Sequence, residues 1–557
     1  MAKLSDLPSE LFEHILADLN QTAYHALSLV SRSLYNFVIP YLYRDVDLLV
    51  RSSRHVPRVD RLFFNILDEP ALGKHIRSLR IGVENHAHLH DVRRCMPKTS
   101  KAEHDRNYQK AVAFMDTWPD ILDTGDSCEA LESNDYGAYA ALLFLLVLPT
   151  LRTVSIAENG DETLQPLKTI LQKFNTEIDK ENSSSLRFIE GIEEVVYNVE
   201  HETARPYRHP AQNTLWLALK LPFIKKVEVA SLDCINILWN ARQHSFSNLS
   251  PPPPLISLTT LILRHVTKVA ETLLTILPET PQLRCLVLEA CRDNSEVDVA
   301  SGPAWVLLEE WNAALRVVQN TLQTLVISAE YYDSNCSFFA QPSMKQQFGG
   351  RLDLSGFDQL HTLEAPVPFI TGDLSISIFM DTNFLPYAPP RLRHLILRTD
   401  MTDAQFVYPW DTSNRESGPS FQESKDESRT RNNARMDLRS ILEFSLPLVN
   451  QIPCLQSFAV WQPSDPSLDF FDDQLEDLRT SCKNKNITVK VLYPMLLRWR
   501  SSLHWNLVRE VTLFDARFPG SGAMARMFRT ERQGLPLGLG SQYHLKEFEK
   551  HHVRGQT

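Results

Sequence analysis

The stretch Leu283-Arg284-Cys285-Leu286-Val287-Leu288 has apolar residues at its first, fourth and sixth positions. Its second half alternates as a half-buried β-strand does, with every other side chain directed to the core. The same spacing recurs along the chain, and this recurrence predicts a series of short strands of one design. The motifs are Ile76-Leu79-Ile81, Leu151-Val154-Ile156, Ile224-Val227-Val229, Leu258-Leu261-Leu263, Leu283-Leu286-Leu288, Leu322-Leu325-Ile327, Leu360-Leu363-Ala365, Leu392-Leu395-Leu397 and Leu455-Phe458-Val460.

The five central motifs follow one another at intervals of about 25 to 40 residues, which is the range of solenoid repeats. Segments between them, such as 269–277 and 305–318, have helical periodicity, and 186–192 and 487–491 predict two further strands. One helix and one parallel strand per unit predict an α/β fold, an irregular leucine-rich-repeat-like solenoid. A non-repeating α/β domain with similar strands is the alternative.

In such strands the third, fifth and seventh motif positions lie on the face opposite the core. This face would present the apolar residues Ile262, Val287, Val326 and Ile396, with seventh-position residues beside them. Apolar, Arg and Trp side chains together are typical of a protein-binding surface. The predicted binding residues are Ile262, Arg264, Val287, Val326, Ile396, Arg398 and Trp461. Replacing Arg264 and Arg398 with Glu is expected to abolish binding without unfolding, unless another segment of the chain covers this face.

The first 44 residues contain more apolar side chains than so short a segment can bury by itself. One helical stripe comprises Leu7, Leu11, Ile15, Leu16 and Leu19. A second stripe extends from Ala26 to Phe37, and Pro40 is expected to end its helix. The surplus of apolar residues predicts a docking surface.

The motifs at 7–11 (Leu-Pro-Ser-Glu-Leu), 30–35 (Val-Ser-Arg-Ser-Leu-Tyr) and 40–43 (Pro-Tyr-Leu-Tyr) closely resemble the F-box of fungal F-box proteins. The resemblance implies that a helical module, residues 1–47, binds the Skp-type adaptor of a cullin-RING ubiquitin ligase. It also implies that the remainder, residues 48–557, selects a protein substrate. Tyr43 stands where many members of the family have Trp.

By position, the resemblance assigns one set of residues to the adaptor and a second set to packing. The adaptor-facing residues are Leu7, Pro8, Leu11, Ile15, Leu16, Val30 and Ser31, whereas Leu34, Phe37 and Leu42 are expected to pack within the module or onto the next domain. Two alternatives stay open: a binding scaffold with a degenerate F-box and no role in ubiquitination, and a hydrolase with an unrecognised triad.

Composition excludes several other classes. The 557 residues carry a net charge of -11, which opposes binding to nucleic acid or to anionic membranes. The eight cysteines form no Cys-x-x-Cys pair, and this indicates reduced thiols in the cytoplasm or nucleus. The apolar stretch 138–148 is too short to cross a bilayer and predicts a core helix. No catalytic constellation or cofactor motif is present, and the cluster His86, His88, His90 and Cys95 lacks zinc spacing.

Two segments of the larger domain differ from the repeats in composition. Residues 411–436 are polar, charged and rich in Ser, which predicts a disordered insert. From about residue 495 the chain is aromatic and cationic, and it is expected to cap the end of the solenoid. A monomer is the expected state.

Overall fold

The computed structural model describes residues 8–50, 56–83, 96–158, 164–179, 191–199, 221–230, 255–293, 305–332, 347–374, 384–402, 439–462 and 472–527, except 18, 20, 97–99, 120, 123, 222, 500 and 501. The chain divides into two compact units, Met1–Thr260 and Leu261–Thr557. The predicted insert at 411–436 and the cluster from His86 to Cys95 lie outside the described residues.

The first unit begins with three helices: α1 (Ser9–Ala17), α2 (Gln21–Ser28) and α3 (Arg32–Leu42). Ser31 caps α3, because its side chain accepts a hydrogen bond from the backbone N–H of Leu34. The prediction that Pro40 ends this helix is wrong, since α3 continues through it to Leu42. A proline in the last turn removes only one backbone donor, and the N–H of Tyr43 still bonds to Ile39 O at 3.1 Å.

The rest of the first unit alternates helices with strands. Its five strands lie in the order β1-β2-β3-β4-β5, and all neighbouring pairs are parallel. Helix α8, the predicted core helix, is buried along nearly its whole length. The elements are β1 (Asp45–Asp47), α4 (Val59–Asp68), α5 (Pro70–Gly73), β2 (Ser78–Gly82), α6 (Lys101–Met115), α7 (Thr124–Glu132), α8 (Tyr136–Val147), β3 (Thr153–Glu158), α9 (Gln165–Asp179), β4 (Glu194–Val199) and β5 (Lys226–Ala230).

The second unit continues this α/β pattern and ends in antiparallel strands. From β7 to β14 the neighbouring strands of the main sheet are parallel, whereas β14, β15 and β16 form an antiparallel meander. Strands β8 and β10 form a separate parallel pair. The strands are β6 (Thr260–Val266), β7 (Cys285–Asp293), β8 (Val306–Leu307), β9 (Thr324–Tyr332), β10 (Phe348–Gly349), β11 (Thr362–Pro366), β12 (His394–Arg398), β13 (Ser457–Trp461), β14 (Thr488–Trp499), β15 (Ser502–Phe514) and β16 (Met524–Met527).

Helices connect several of these strands. The predicted helix at 269–277 is α10 (Val269–Ile276), and that at 305–318 is mainly α11 (Leu308–Leu315), preceded by β8. The remaining helices are α12 (Val367–Thr371), α13 (residues 439–451) and α14 (Asp472–Asn484). Both units therefore have a mixed α/β fold in which parallel strands dominate.

All nine sequence motifs coincide with strands, which confirms the pattern. A backbone contact shared by most of these strands keeps them in register: the carbonyl of the second motif position accepts two N–H groups at the start of the next strand. Arg284 O, for example, accepts from Gln323 N at 2.7 Å and from Thr324 N at 2.9 Å. Side chains at the first, fourth and sixth positions consequently enter the core, as Leu286 and Leu288 do.

Of the two further strands predicted, 487–491 is confirmed as the start of β14. The other strand is β4, which begins at Glu194, after the predicted segment 186–192. Ile192, Val195 and Tyr197 are buried and follow the motif spacing. The prediction placed this strand too early because Tyr197 replaces the aliphatic residue of the sixth position.

Candidate protein-interaction surfaces

The first candidate surface is the outward face of the sheet in the second unit, here called the strip. It comprises the fifth and seventh motif positions of β6, β7, β9, β11, β12 and β13. Strand pairing aligns Val287 with Val326, Val326 with Glu364, and Glu364 with Ile396. These side chains are half-buried, as is Ile262. The structure thus brings the predicted apolar residues onto one face, with Glu364 among them.

The charged end of the strip is a buried network around Arg398. The guanidinium donates from Nη1 to Glu364 Oε1 at 2.5 Å and from Nε to Asp400 Oδ2 at 2.8 Å. It also lies 4.7 Å from the ring centroid of Trp461, whose Nε1 donates to the same oxygen of Glu364 at 2.9 Å. Asp400 Oδ2 further accepts from the N–H of Ala329 at 3.0 Å. These contacts link β9 and β11 to the ends of β12 and β13.

The burial of two predicted binding residues requires a correction. Arg398 is 4% exposed and Trp461 is 7% exposed, so these side chains support the strip rather than offer free surface. Arg264 is half-buried and forms an ion pair with Glu289. Replacement of Arg398 by Glu would therefore place a third carboxylate in a buried network, and the expectation that it leaves the fold intact is withdrawn.

The environment of the network changes the acid strength of its members. Burial raises the pKa of the Asp400 carboxyl group, although the neighbouring Arg398 opposes this effect. Burial would lower the pKa of Arg398, but Asp400 and Glu364 more than offset it, so the pKa is raised and the guanidinium keeps its charge. Arg398 is therefore a fixed cation that holds the two carboxylates.

In the part of the chain that the structure describes, no group of three or more His, Cys, Asp or Glu side chains is placed to hold a metal ion. No helix among the described residues has both the length and the apolar character needed to cross a membrane.

The second candidate surface lies on helices α1 to α3. Their core consists of Phe12, Leu16, Leu34 and Val38, and Tyr24 donates its hydroxyl proton to Leu16 O at 2.6 Å. Five exposed apolar side chains on α1, in the turn before α3 and on α3 are here called the module face. The module face consists of Leu11, Ile15, Leu29, Val30 and Phe37.

Exposure on the module face is high for apolar residues. Leu11 is 53% exposed, Leu29 is 74% exposed and Val30 is 69% exposed. Scattered apolar side chains are ordinary on protein surfaces, but five exposed ones within so short a segment are typical of an interaction site. The family model of the F-box domain matches residues 4–39.

An F-box indicates a subunit that binds a Skp-type adaptor within an SCF ubiquitin ligase, and such subunits are generally non-catalytic. A comparison of the whole chain with curated proteins found no match. The recognisable part of the chain is therefore the F-box, and the role of the remainder must be argued from its geometry.

Four residues predicted to face the adaptor are exposed in the F-box: Pro8, Leu11, Ile15 and Val30. Ser31 is also exposed, and its hydroxyl caps α3. Leu16 is 1% exposed and belongs to the core, so it is removed from the adaptor-facing set. Leu7 lies outside the described residues.

The residues expected to pack inside the F-box differ in how deeply they are buried. Leu34 is buried and Leu42 is half-buried, but Phe37 is largely exposed, with one edge against Phe12 at a centroid distance of 5.4 Å. The sequence pattern did not identify Phe12 as a core residue or Leu29 as an exposed one, and Phe37 was expected to pack rather than to be exposed. A signal existed for Leu29, because two apolar residues in a turn before a capping Ser have no helical partner to cover them.

The F-box continues into the sheet of the first unit almost without a linker. Helix α3 ends at Leu42, and the carbonyl of Arg44 already accepts hydrogen bonds from Arg77 N at 2.9 Å and Ser78 N at 3.0 Å. The buried hydroxyl of Tyr136 donates to Leu48 O at 2.8 Å and accepts from Gly82 N at 2.9 Å. These bonds fix β1 and the residues after it along β2.

Proposed function

We propose that the protein is the substrate-recognition subunit of an SCF-type cullin-RING ubiquitin ligase. The F-box holds the Skp-type adaptor, which connects the chain to the cullin, and residues 48–557 hold a protein substrate. The protein performs no covalent step itself. It raises the effective concentration of a substrate lysine near the conjugating enzyme by positioning it.

One observation carries the adaptor assignment: the exposed apolar patch lies within the segment that the F-box model matches. Leu11 and Ile15 are one helical turn apart on α1, and Leu29 and Val30 occupy the turn before α3. Covering such side chains on association removes apolar surface from water, which gives roughly 25 cal/mol per Å². We assign adaptor contact to Leu11, Ile15, Leu29, Val30 and Phe37, together with Pro8.

We further propose that the parallel strands of residues 48–557 form an irregular leucine-rich-repeat-like solenoid, as the motif spacing suggests. The constant register of the second-position carbonyls supports this proposal. The antiparallel strands β14 to β16 would then cap its end, because they take the edge that another parallel repeat would otherwise occupy. The strip on the second unit is the proposed substrate surface, and the cytoplasm or nucleus is the proposed location.

The test is co-purification of the full-length chain with a Skp-type adaptor. A variant with Leu11→Glu and Val30→Glu should lose the adaptor, since two charges would be covered at the interface without partners. Leu274→Glu is a matched control, because Leu274 lies on α10 outside the F-box and is similarly exposed. It should retain the adaptor.

Thermal unfolding of each chain shows whether loss of binding reflects loss of fold. All three chains should unfold at similar temperatures, because the replaced side chains are exposed. If the folded wild-type chain fails to bind the adaptor, the protein is a binding scaffold with a degenerate F-box and the ligase proposal is rejected.

A further inference from the structure

A carboxylate lies in the middle of the apolar part of the strip. Glu364 occupies the fifth position of β11, and strand pairing places it between Val326 of β9 and Ile396 of β12. An acidic side chain does not improve the packing of such a face, and covering it without a partner would be unfavourable. Its position suggests a role in recognition.

The orientation of this carboxylate is fixed from one side. Trp461 Nε1 and Arg398 Nη1 both donate to Oε1 of Glu364. Within the described part of the chain, Oε2 receives no hydrogen bond, and the side chain keeps 12% exposure. Oε2 is therefore an acceptor that is already oriented before a partner arrives, which reduces the entropy lost on binding.

The charge near Glu364 favours a cationic partner. The Arg398 side chain is almost fully buried and is shared between Glu364 and Asp400, and Arg264 is held by Glu289. The network therefore contains two acidic side chains, Glu364 and Asp400, and one basic side chain, Arg398.

We propose that Glu364 binds a lysine or arginine side chain of the substrate, and that apolar residues on either side of this cation pack against Val326 and Ile396. The ammonium or guanidinium group supplies the donors that Oε2 lacks, and its alkyl stem suits the neighbouring apolar side chains. An acidic segment would be repelled by Glu364. This assignment rests on the proposed function in one respect: the bound segment is called a substrate because the protein is proposed to be a substrate-recognition subunit.

The test uses labelled peptides of the form Gly-Ser-Leu-X-Leu-Ser-Gly, where X is Lys, Arg, Gln or Glu. Fluorescence polarisation with the full-length chain measures their dissociation constants. The Lys and Arg peptides should bind about 5- to 10-fold more tightly than the Gln peptide, as expected for a charge-assisted bond on a partly solvated surface. The Glu peptide should bind most weakly.

The decisive variant is Glu364→Gln. The amide oxygen can still accept from Trp461 and Arg398, while the amide NH₂ replaces Oε2, so the outward acceptor becomes a donor. The preference for Lys and Arg over Gln should fall to about 1-fold. Glu443→Gln on α13 is the matched control, because Glu443 is a surface residue paired only with Arg439, and it should keep the full preference.

The wild-type chain offers a second measurement that does not depend on how the variant folds. Its preference for the Lys peptide should decrease between about 0.05 and 0.5 M NaCl, because salt screens a partly exposed ion pair. Equal binding of all four peptides, no peptide binding at all, or an unchanged preference in the Glu364→Gln chain would overturn the assignment. The strip would then be covered by this chain or bind a different partner.

Adaptor retention by the same preparations separates this inference from the proposed function. A chain that selects basic peptides but does not bind the adaptor would keep the Glu364 assignment and reject the ligase role. A chain that binds the adaptor but does not select basic peptides would reject only the Glu364 assignment.

Discussion

Trp461 lies 97 residues after Glu364 in the chain, yet its indole Nε1 donates a 2.9 Å hydrogen bond to Glu364 Oε1. Arg398, on the strand between them, donates to the same oxygen and stacks on the indole ring. The contact therefore ties β11 to β13 across β12. It also explains why a tryptophan and an arginine expected at the surface are buried.

Replacement of Arg398 by Met tests this network. The substitution would leave Glu364 and Asp400 buried without their cation, so the free energy of unfolding should fall by about 3–5 kcal/mol. Urea denaturation measures the change. Arg439→Met is the control, because the Arg439–Glu443 pair is exposed and contributes little. Equal effects of the two substitutions would contradict a structural role for Arg398.

Leu16 and Leu11 differ by burial although both belong to the predicted apolar stripe of α1. Leu16→Ala should destabilise the F-box by about 2–4 kcal/mol, because it leaves a cavity among Phe12, Leu34 and Val38. Leu11→Ala should have a small effect on stability and weaken adaptor binding directly. Amide hydrogen exchange in residues 9–42 separates the two, since protection should fall only in the Leu16→Ala chain.

Gly82 is predicted to be intolerant of any side chain. Its φ is +115°, and a Cβ atom there would lie 2.0 Å from the carbonyl oxygen of Ala157. Gly82→Ala should therefore force β2 away from β3 and lower stability by more than about 2 kcal/mol. Gly520→Ala is the control, because a Cβ atom at Gly520 meets nothing within 4 Å. A similar urea midpoint for both variants would be inconsistent with this geometry.

The thiols of Cys482 and Cys454 should differ in reactivity. Burial raises the pKa of Cys482 to about 12, with a small opposing effect from Lys485, so this thiol stays protonated as the pH rises from 7 to 9. Cys454 is exposed. Iodoacetamide labelling followed by peptide mass spectrometry should detect modification of Cys454, and none of Cys482 in the folded chain. Labelling of both at pH 8 would mean that α14 opens readily.

The strands were predictable because their signal is local. Leu286 and Leu288 alternate with half-buried residues, and this pattern alone identifies a strand and its core face. The F-box was recognisable for a different reason, namely the order of its Leu-Pro, Val-Ser-Arg and Pro-x-Leu-Tyr motifs. In β4 an aromatic residue, Tyr197, occupies the sixth motif position, and there the strand was predicted too early in the sequence.

The burial of individual side chains was not predictable, because it depends on partners distant in sequence. Leu16 and Leu11 are both leucines and both fit one helical stripe, but only Leu16 packs in the core with Leu34 and Val38. The motif position of Arg398 predicts a surface anchor, but ion pairs with Asp400 and Glu364 hold its side chain in the interior. A sequence pattern reports which face a residue is on, not whether its charge is already satisfied there.

The carbonyl of Arg44 ties the end of the F-box to the sheet of the first unit. Only two residues separate α3 from β1, and the hydrogen bonds from Arg77 and Ser78 begin within that interval. A force that a bound partner applies to the module face would therefore reach β1 and β2 through a connection of only two residues, Tyr43 and Arg44.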